Sequence, residues 1–159
     1  MQSHPLSAQL LAALFAAFVA AFALPANAGD AAALISAVNA LRAEKGLSPV
    51  APDERLNQAA QRQAEAMANA GHLAHDGGAG NLTERLGVAG YAFSQAAENL
   101  GGGAPTPEET VLGWQQSPPH ARNLLIPSFV NAGAGHAAGK PGDPFGDYWC
   151  LILAAPALP

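Results

Sequence analysis

Residues 148–153, which read Tyr-Trp-Cys-Leu-Ile-Leu, limit the fold more than any other part of the chain. They are apolar at consecutive positions, as in a strand that is buried on both faces. Residues 131–138 carry small side chains, and a Pro- and Gly-rich loop over 140–147 separates them from the apolar run. This pattern predicts an antiparallel hairpin whose last strand needs a cover on each side.

The segments before this hairpin have the spacing and the end signals of helices. Asp53 is predicted to cap a helix over 53–70 that stops at Gly71. The predicted helices cover residues 31–45, with Asp30 as a cap, then 53–70, 83–88 with Thr83 as a cap, 107–116 after a Thr106 cap, and a short segment from Ser117-Pro118 to before Pro127. Helices first and strands last predict an α+β fold with three layers, in which helices flank a small antiparallel sheet.

Residues 94–99 lead into the run Gly101-Gly102-Gly103, which is predicted to belong to neither a helix nor a central strand. Glycine is poorly tolerated in a helix or in a central strand, because it adds backbone entropy and no packing surface.

Residues 1–28 have the pattern of a secretory signal peptide. Residues 10–24 are an unbroken apolar run, Pro25 ends it, and Ala26-Asn27-Ala28 places small residues before a predicted cleavage after Ala28. The first nine residues lack Lys and Arg, which departs from the pattern and leaves an uncleaved membrane anchor as the alternative. The run is shorter than the roughly 20 residues of a spanning helix, so we predict cleavage and no stable membrane span thereafter. The expected product is a single domain over 29–159, secreted or periplasmic.

Charge and cysteine content exclude two classes of protein. All charged Lys, Arg, Asp and Glu residues follow residue 28, so the predicted domain carries the net charge of −5. A mildly acidic domain is a poor partner for nucleic acid. The single Cys150 excludes an internal disulfide framework and is expected to be an inert apolar residue.

Several short blocks, in order along nearly the whole predicted domain, resemble the CAP superfamily of SCP-like extracellular proteins, in its compact bacterial branch. The blocks are Asn39-Ala40-Leu41-Arg42-Ala43-Glu44-Lys45-Gly46-Leu47, His75, Arg85-Leu86 with Gly90-Tyr91, Ala97-Glu98-Asn99-Leu100, Trp114, Ser117-Pro118-Pro119-His120, Asn123-Leu124-Leu125 and Tyr148-Trp149. The resemblance implies an α-β-α sandwich with a central cleft of two His and acidic side chains. It assigns His75, Glu98 and His120 to that cleft.

The resemblance is incomplete at the second acidic position of the cleft. Ser117 stands there, and Glu108 and Glu109 lie too early on the same helix to match. We expect Ser117 to cap a helix rather than to act as a nucleophile.

If the three cleft residues converge, His75 and His120 are candidate ligands of a divalent metal such as Zn²⁺. Glu98 is then a third donor or a partner that fixes a His tautomer. In purely structural alternatives, His120 hydrogen-bonds within the fold and Glu98 accepts backbone N–H groups. His72 and His136 have no counterpart in the resemblance and are read as surface or strand residues.

The resemblance implies an exported, non-enzymatic protein whose cleft binds a small ligand, lipid-like or other, with a divalent metal as a further component. One alternative is a metal-dependent hydrolase with Glu98 as its general base. Another is an interaction module of the cell envelope whose cleft is structural only. No catalytic residue is assigned, and any protein partner is unspecified.

Overall fold

The computed structural model describes the backbone of residues 26–158 and the side chains from Gly29 to Leu158. Residues 1–25 of the predicted signal peptide lie outside the described residues. Its cleavage after Ala28 therefore stays a prediction. The elements are α1 (Ala26–Glu44), β1 (Ala51–Pro52), α2 (Glu54–Ala70), α3 (Leu82–Val88), β2 (Phe93–Gly102), α4 (Pro107–Gln116), α5 (Pro118–Leu124), β3 (Asn131–Ala138) and β4 (Asp147–Pro156). Within these described residues, no helix is both long and apolar enough to cross a membrane.

The strands of the described region form one sheet in the order β1-β3-β4-β2. Strand β4 is antiparallel to both β3 and β2, which confirms the predicted hairpin and its central last strand. The sheet is mixed rather than purely antiparallel, because the two-residue β1 runs parallel to β3. The Ala51 and Asp53 N–H groups donate to the carbonyls of Val130 and Ala132, so β1 forms where the chain between α1 and α2 passes the end of β3.

Side chains of β4 alternate between two hydrophobic cores, which confirms the α-β-α sandwich. Trp149, Leu151 and Leu153 pack with α1, α4 and α5 on one face. On the other face, Cys150 and Ile152 pack with α2 and α3. The period of two along a strand sends successive residues to opposite faces, so an unbroken apolar run requires both helical layers.

Helix α2 lies directly against β3, and two glycines allow the approach. A Cβ atom at Gly133 or Gly135 would clash with the backbone of α2. The close approach lets α2 cover the outer edge of β3: Asn57 accepts from Ala134 N–H at 3.0 Å, and Gln61 exchanges two hydrogen bonds with the His136 backbone.

Two local predictions were wrong, at the starts of α1 and α3. Asn81, rather than Thr83, caps α3 in a reciprocal capping box with Glu84. Helix α1 begins before Asp30, whose carboxylate meets His136 instead of capping the helix.

Gly101 and Gly102 belong to β2, where they pair with Trp149 and Tyr148. Strand β2 is an edge strand, so the expectation about helices and central strands is not contradicted.

Candidate functional site

The three predicted cleft residues come from three segments that meet along the edge strand β2. His75 lies in the loop between α2 and α3, Glu98 lies on β2, and His120 lies in α5. His75 Nδ1 is 2.8 Å from Glu98 Oε1, so the structure brings these two side chains into direct contact. His120 is held from the other helical layer, where its carbonyl accepts from Asn99 Nδ2 at 3.1 Å.

Glu98 is buried and has a partner on each carboxylate oxygen. Its Oε2 accepts from Arg85 Nη1 at 2.6 Å, and the side chains of Arg85 and Glu98 are only 2% and 3% exposed. The thiol of Cys150 lies 3.4 Å from the same oxygen. Burial raises the pKa of Cys150 well above its ordinary value, with Glu98 raising it further. The thiol is therefore protonated, as expected for an inert core residue.

Arg85 is the site residue that sequence reasoning did not assign to the cleft. It appeared only within the Arg85-Leu86 block of the resemblance. Besides Glu98, its guanidinium donates to the carbonyls of Gly80 and His75, at 3.1 Å in each case. Gln63 of α2 donates to the carbonyl of Ala74. The backbone carbonyls of Ala74 and His75, before and after the His75 side chain, are therefore both held by buried side chains.

His120 differs from His75 in its surroundings. Its Nδ1 lies 3.0 Å from Ser117 Oγ. Ser117 occupies the N-cap position of α5 as predicted, but its hydroxyl meets this imidazole and forms no cap bond to the helix. Burial lowers the pKa of His120, and the nearby His75 imidazole lowers it further. His120 is thus neutral at pH 7.

A cleft of about 600 Å³ opens above Glu98. Its polar groups include His75, Asp76 and Asn123, and its apolar groups include Leu82, Ala96 and Ala97. The His75 side chain is 63% exposed, while Glu98 beneath it is almost fully covered. The cleft therefore presents one accessible imidazole over a neutralised carboxylate, with apolar surface alongside.

The residues present do not form a good metal site. Across residues 29–158, no cluster of three or more His, Cys, Asp or Glu side chains is arranged to hold a metal ion. Glu98 already accepts hydrogen bonds from Arg85 and His75. Ser117 supplies a hydroxyl where the resemblance expects an acid. The cleft also offers the Asp76 carboxylate, but together with the two imidazoles it does not form the set of three protein ligands usual for an open zinc site.

His136, predicted to be a surface or strand residue, lies on β3 and is largely buried. Its ring nitrogens are each 2.8 Å from a carboxylate, Nδ1 from Asp30 and Nε2 from Asp147. The ring stacks on Trp149 with 4.0 Å between centroids. These contacts tie α1 to the β3–β4 hairpin, away from the cleft along β2.

A second cavity of about 500 Å³ lies between α1 and α2, beside β3. Ile35 and Ala134 form part of its apolar lining, and Gln58 and Arg62 lie on its polar rim. None of the predicted site residues belongs to it.

The three-layer α-β-α sandwich is the fold of SCP-domain proteins. The chain belongs to the CAP family, the cysteine-rich secretory protein family, whose sequence profile matches residues 35–153. This confirms the resemblance seen in the sequence, although the chain has one cysteine.

The relatives support the same class. The uncharacterized protein YkwD of Bacillus subtilis (strain 168) is 31% identical over 104 residues, which are 65% of this chain and 40% of YkwD. The chain thus spans about two fifths of the length of this relative.

Two solved structures have the same fold. An extracellular protein with an SCP domain from Bacillus anthracis superposes with a TM-score of 0.69 at 22% identity, over 81% of this chain and 41% of that protein. An outer surface protein of Borrelia burgdorferi superposes with a TM-score of 0.70 at 18% identity, over 78% of this chain and 90% of that protein.

Proposed function

We propose that this chain is an exported, non-enzymatic CAP-domain protein whose cleft binds a small ligand. Export is supported by the predicted signal peptide and by relatives described as extracellular and outer surface proteins. The single observation that carries the binding proposal is the pairing of His75 with Glu98 at the base of an open cleft. The cleft volume lies within the range of about 300–1,000 Å³ that is typical of small-molecule sites.

The pairing defines what the cleft recognises. A carboxylate only accepts hydrogen bonds, so His75 Nδ1 carries the proton that points at Glu98. In the neutral ring, Nε2 is then an acceptor, on a side chain that is 63% exposed. Leu82 and Ala97 add apolar surface nearby. The ligand that fits is amphipathic, with a hydroxyl or similar donor for His75 and an apolar part for the remaining surface.

The hydrolase alternative is less well supported by this geometry. A general base needs a free lone pair within reach of the proton that it removes. Glu98 is covered, and its oxygens already accept from His75 and Arg85.

The interaction-module alternative needs a contiguous apolar patch. The exposed large apolar residues of the described region are Leu73, Val88, Leu112, Val130 and Leu158, and none of them lines the cleft.

The test is a binding screen on the exported, purified protein with medium-chain alcohols, polyols and monoacylglycerols, read out by NMR. We expect one class of probe to shift the His75 and His120 resonances and to bind at least tenfold more weakly to His75→Ala. His72→Ala is the matched control, because His72 is an exposed histidine near the same loop. An affinity that His75→Ala leaves unchanged, or NMR shifts centred on Ile35 and Ala134, would contradict the proposal. Turnover of ester or peptide substrates that Glu98→Gln abolishes would favour the hydrolase.

A further inference from the structure

The cleft carboxylate already has a permanent cationic partner from the protein itself. Arg85 Nη1 and Glu98 Oε2 are 2.6 Å apart, with both side chains almost fully buried. The guanidinium is anchored by the carbonyls of Gly80 and His75 as well, so it is fixed on several sides.

A metal ion in this cleft would compete with that arrangement. To ligate a cation through Oε2, Glu98 would have to weaken its bond to Arg85 and leave a buried guanidinium without its counter-charge. An uncompensated buried charge is strongly unfavourable. To ligate it through Oε1, Glu98 would have to give up its bond to His75, which is itself a candidate ligand. If Glu98 kept both bonds, the ion would have His75, His120 and Asp76 as candidate ligands, and these do not form a cluster arranged to hold a metal ion within the described residues.

The second acidic position gives an independent argument. Ser117 stands where the resemblance expects an acid, and its hydroxyl lies 3.0 Å from His120 Nδ1. A neutral hydroxyl stabilises a neutral imidazole, but it contributes no negative charge to offset a divalent cation. Two of the groups that would neutralise a metal are therefore replaced or already paired.

We propose that the cleft of this chain works without a metal, because Arg85 neutralises Glu98 and Ser117 replaces the second acid. The inference rests on the proposed ligand cleft and specifies its chemistry: recognition by imidazole and apolar groups rather than by coordination. Arg85 is a positioning residue, since it acts through Glu98 on the tautomer of His75.

Titration calorimetry with Zn²⁺ at neutral pH tests the proposal directly. We expect the exported protein to bind Zn²⁺ no more than about twofold more tightly than His75→Ala/His120→Ala. One-site binding that weakens at least tenfold in that double variant would overturn the inference.

A gain-of-binding variant keeps the test informative if the double variant folds poorly. Ser117→Asp preserves a residue suited to an N-cap and adds a carboxylate beside His120. We expect it to bind Zn²⁺ at least tenfold more tightly than the unmodified protein, and this gain should vanish when His120→Ala is added. Ser128→Asp, at an exposed serine, is the matched control. No gain in Ser117→Asp would overturn the role assigned to Ser117.

The amphipathic probe separates this inference from the proposed function. Probe binding that is unchanged by EDTA supports both. Binding that EDTA abolishes overturns metal independence but leaves the ligand cleft standing. If no probe binds with or without EDTA, the proposed function fails. If Zn²⁺ binding is also absent, the inference that the cleft does not bind a metal is still supported.

Discussion

Arg85 of α3 and Glu98 of β2 form a buried ion pair, 2.6 Å between Nη1 and Oε2, directly below the exposed His75 ring. The pair joins the edge strand to the helical layer and holds the base of the cleft. Its removal should therefore affect both the stability of the fold and the orientation of His75.

We predict that Arg85→Met lowers the free energy of unfolding by about 3–5 kcal/mol, because it leaves Glu98 buried without a counter-charge. Urea denaturation followed by circular dichroism measures the change. Arg62→Met, on the exposed face of α2, should change it by no more than about 0.5 kcal/mol.

Removing both charges should restore part of the loss. Because the two side chains are in contact, Arg85→Met/Glu98→Gln should be more stable than the single variant by about 1 kcal/mol or more. Equal stabilities of the single and double variants would show that the pair is not coupled.

Arg42 is a second buried guanidinium, and it has backbone partners. It donates to the carbonyls of Ser48, Leu124, Ile126 and Phe129, which joins the end of α1 to the end of α5 and the following loop. Burial lowers the pKa of Arg42. Arg42→Met leaves these carbonyls without their donor, so we predict a loss of about 2–4 kcal/mol in unfolding free energy. Lys45→Met, one turn further along and exposed, is the control; equal losses in the two variants would contradict the prediction.

The approach of α2 to β3 should tolerate no added atom. Gly135→Ala should destabilise the protein by about 1–3 kcal/mol or more, because its Cβ would meet the backbone of α2. At Gly113 in α4, a Cβ would meet open space within the described part of the chain, and Ala is the better helix former. Gly113→Ala should therefore raise the melting temperature while Gly135→Ala lowers it, as measured by calorimetry. A neutral Gly135→Ala would refute the close contact.

Alkaline titration should identify Tyr148. Burial and the hydrogen bonds to Asp143 raise the pKa of Tyr148 to about 12. An unfolded tyrosine has a pKa near 10, so this group contributes stability fully below about pH 10 and loses it as the pH rises through 12. Absorbance at 295 nm should show a late component that Tyr148→Phe removes. Completion of both tyrosine transitions by about pH 10.5 would be inconsistent with the Asp143 bond.

Cys150 should be unreactive in the folded protein. Its thiol is fully buried, and its pKa is raised by that burial and by Glu98. A thiolate is the reactive form, so Ellman's reagent should modify Cys150 only in urea, or at the rate of unfolding. The chain has one cysteine, so the signal has a single source. Rapid modification under native conditions would contradict the burial.

Local patterns were sufficient for most elements and their ends. Asp53 and Gly71 bound α2 as predicted, with Gly71 in the left-handed conformation. Thr106 accepts from the N–H of Glu109 at the start of α4. Such signals act within a few residues, so they can be read without knowledge of the fold. The blocks of the resemblance likewise indicated the family and the residues His75, Glu98 and His120.

Contacts between distant residues could not be read in this way. His136 has no local signal for its bond to Asp30, which is 106 residues away. Gly102 belongs to β2 through its pairing with Tyr148 of the distant strand β4, and the Phe145 ring occupies the space that a side chain there would need.

The sequence by itself determined the family and the three-layer sandwich, because apolar periodicity, caps and motif order are local or sequential properties. It also indicated His75 and Glu98, which both line the cleft, whereas the predicted His120 is not part of that lining. Only the tertiary structure decided the state of the cleft. The charge that Glu98 meets depends on Arg85 from another element, and the acceptor for the His75 ring depends on Glu98, which is 23 residues away. Electrostatic partners act through space over a few ångströms, so they are defined only once the chain has folded.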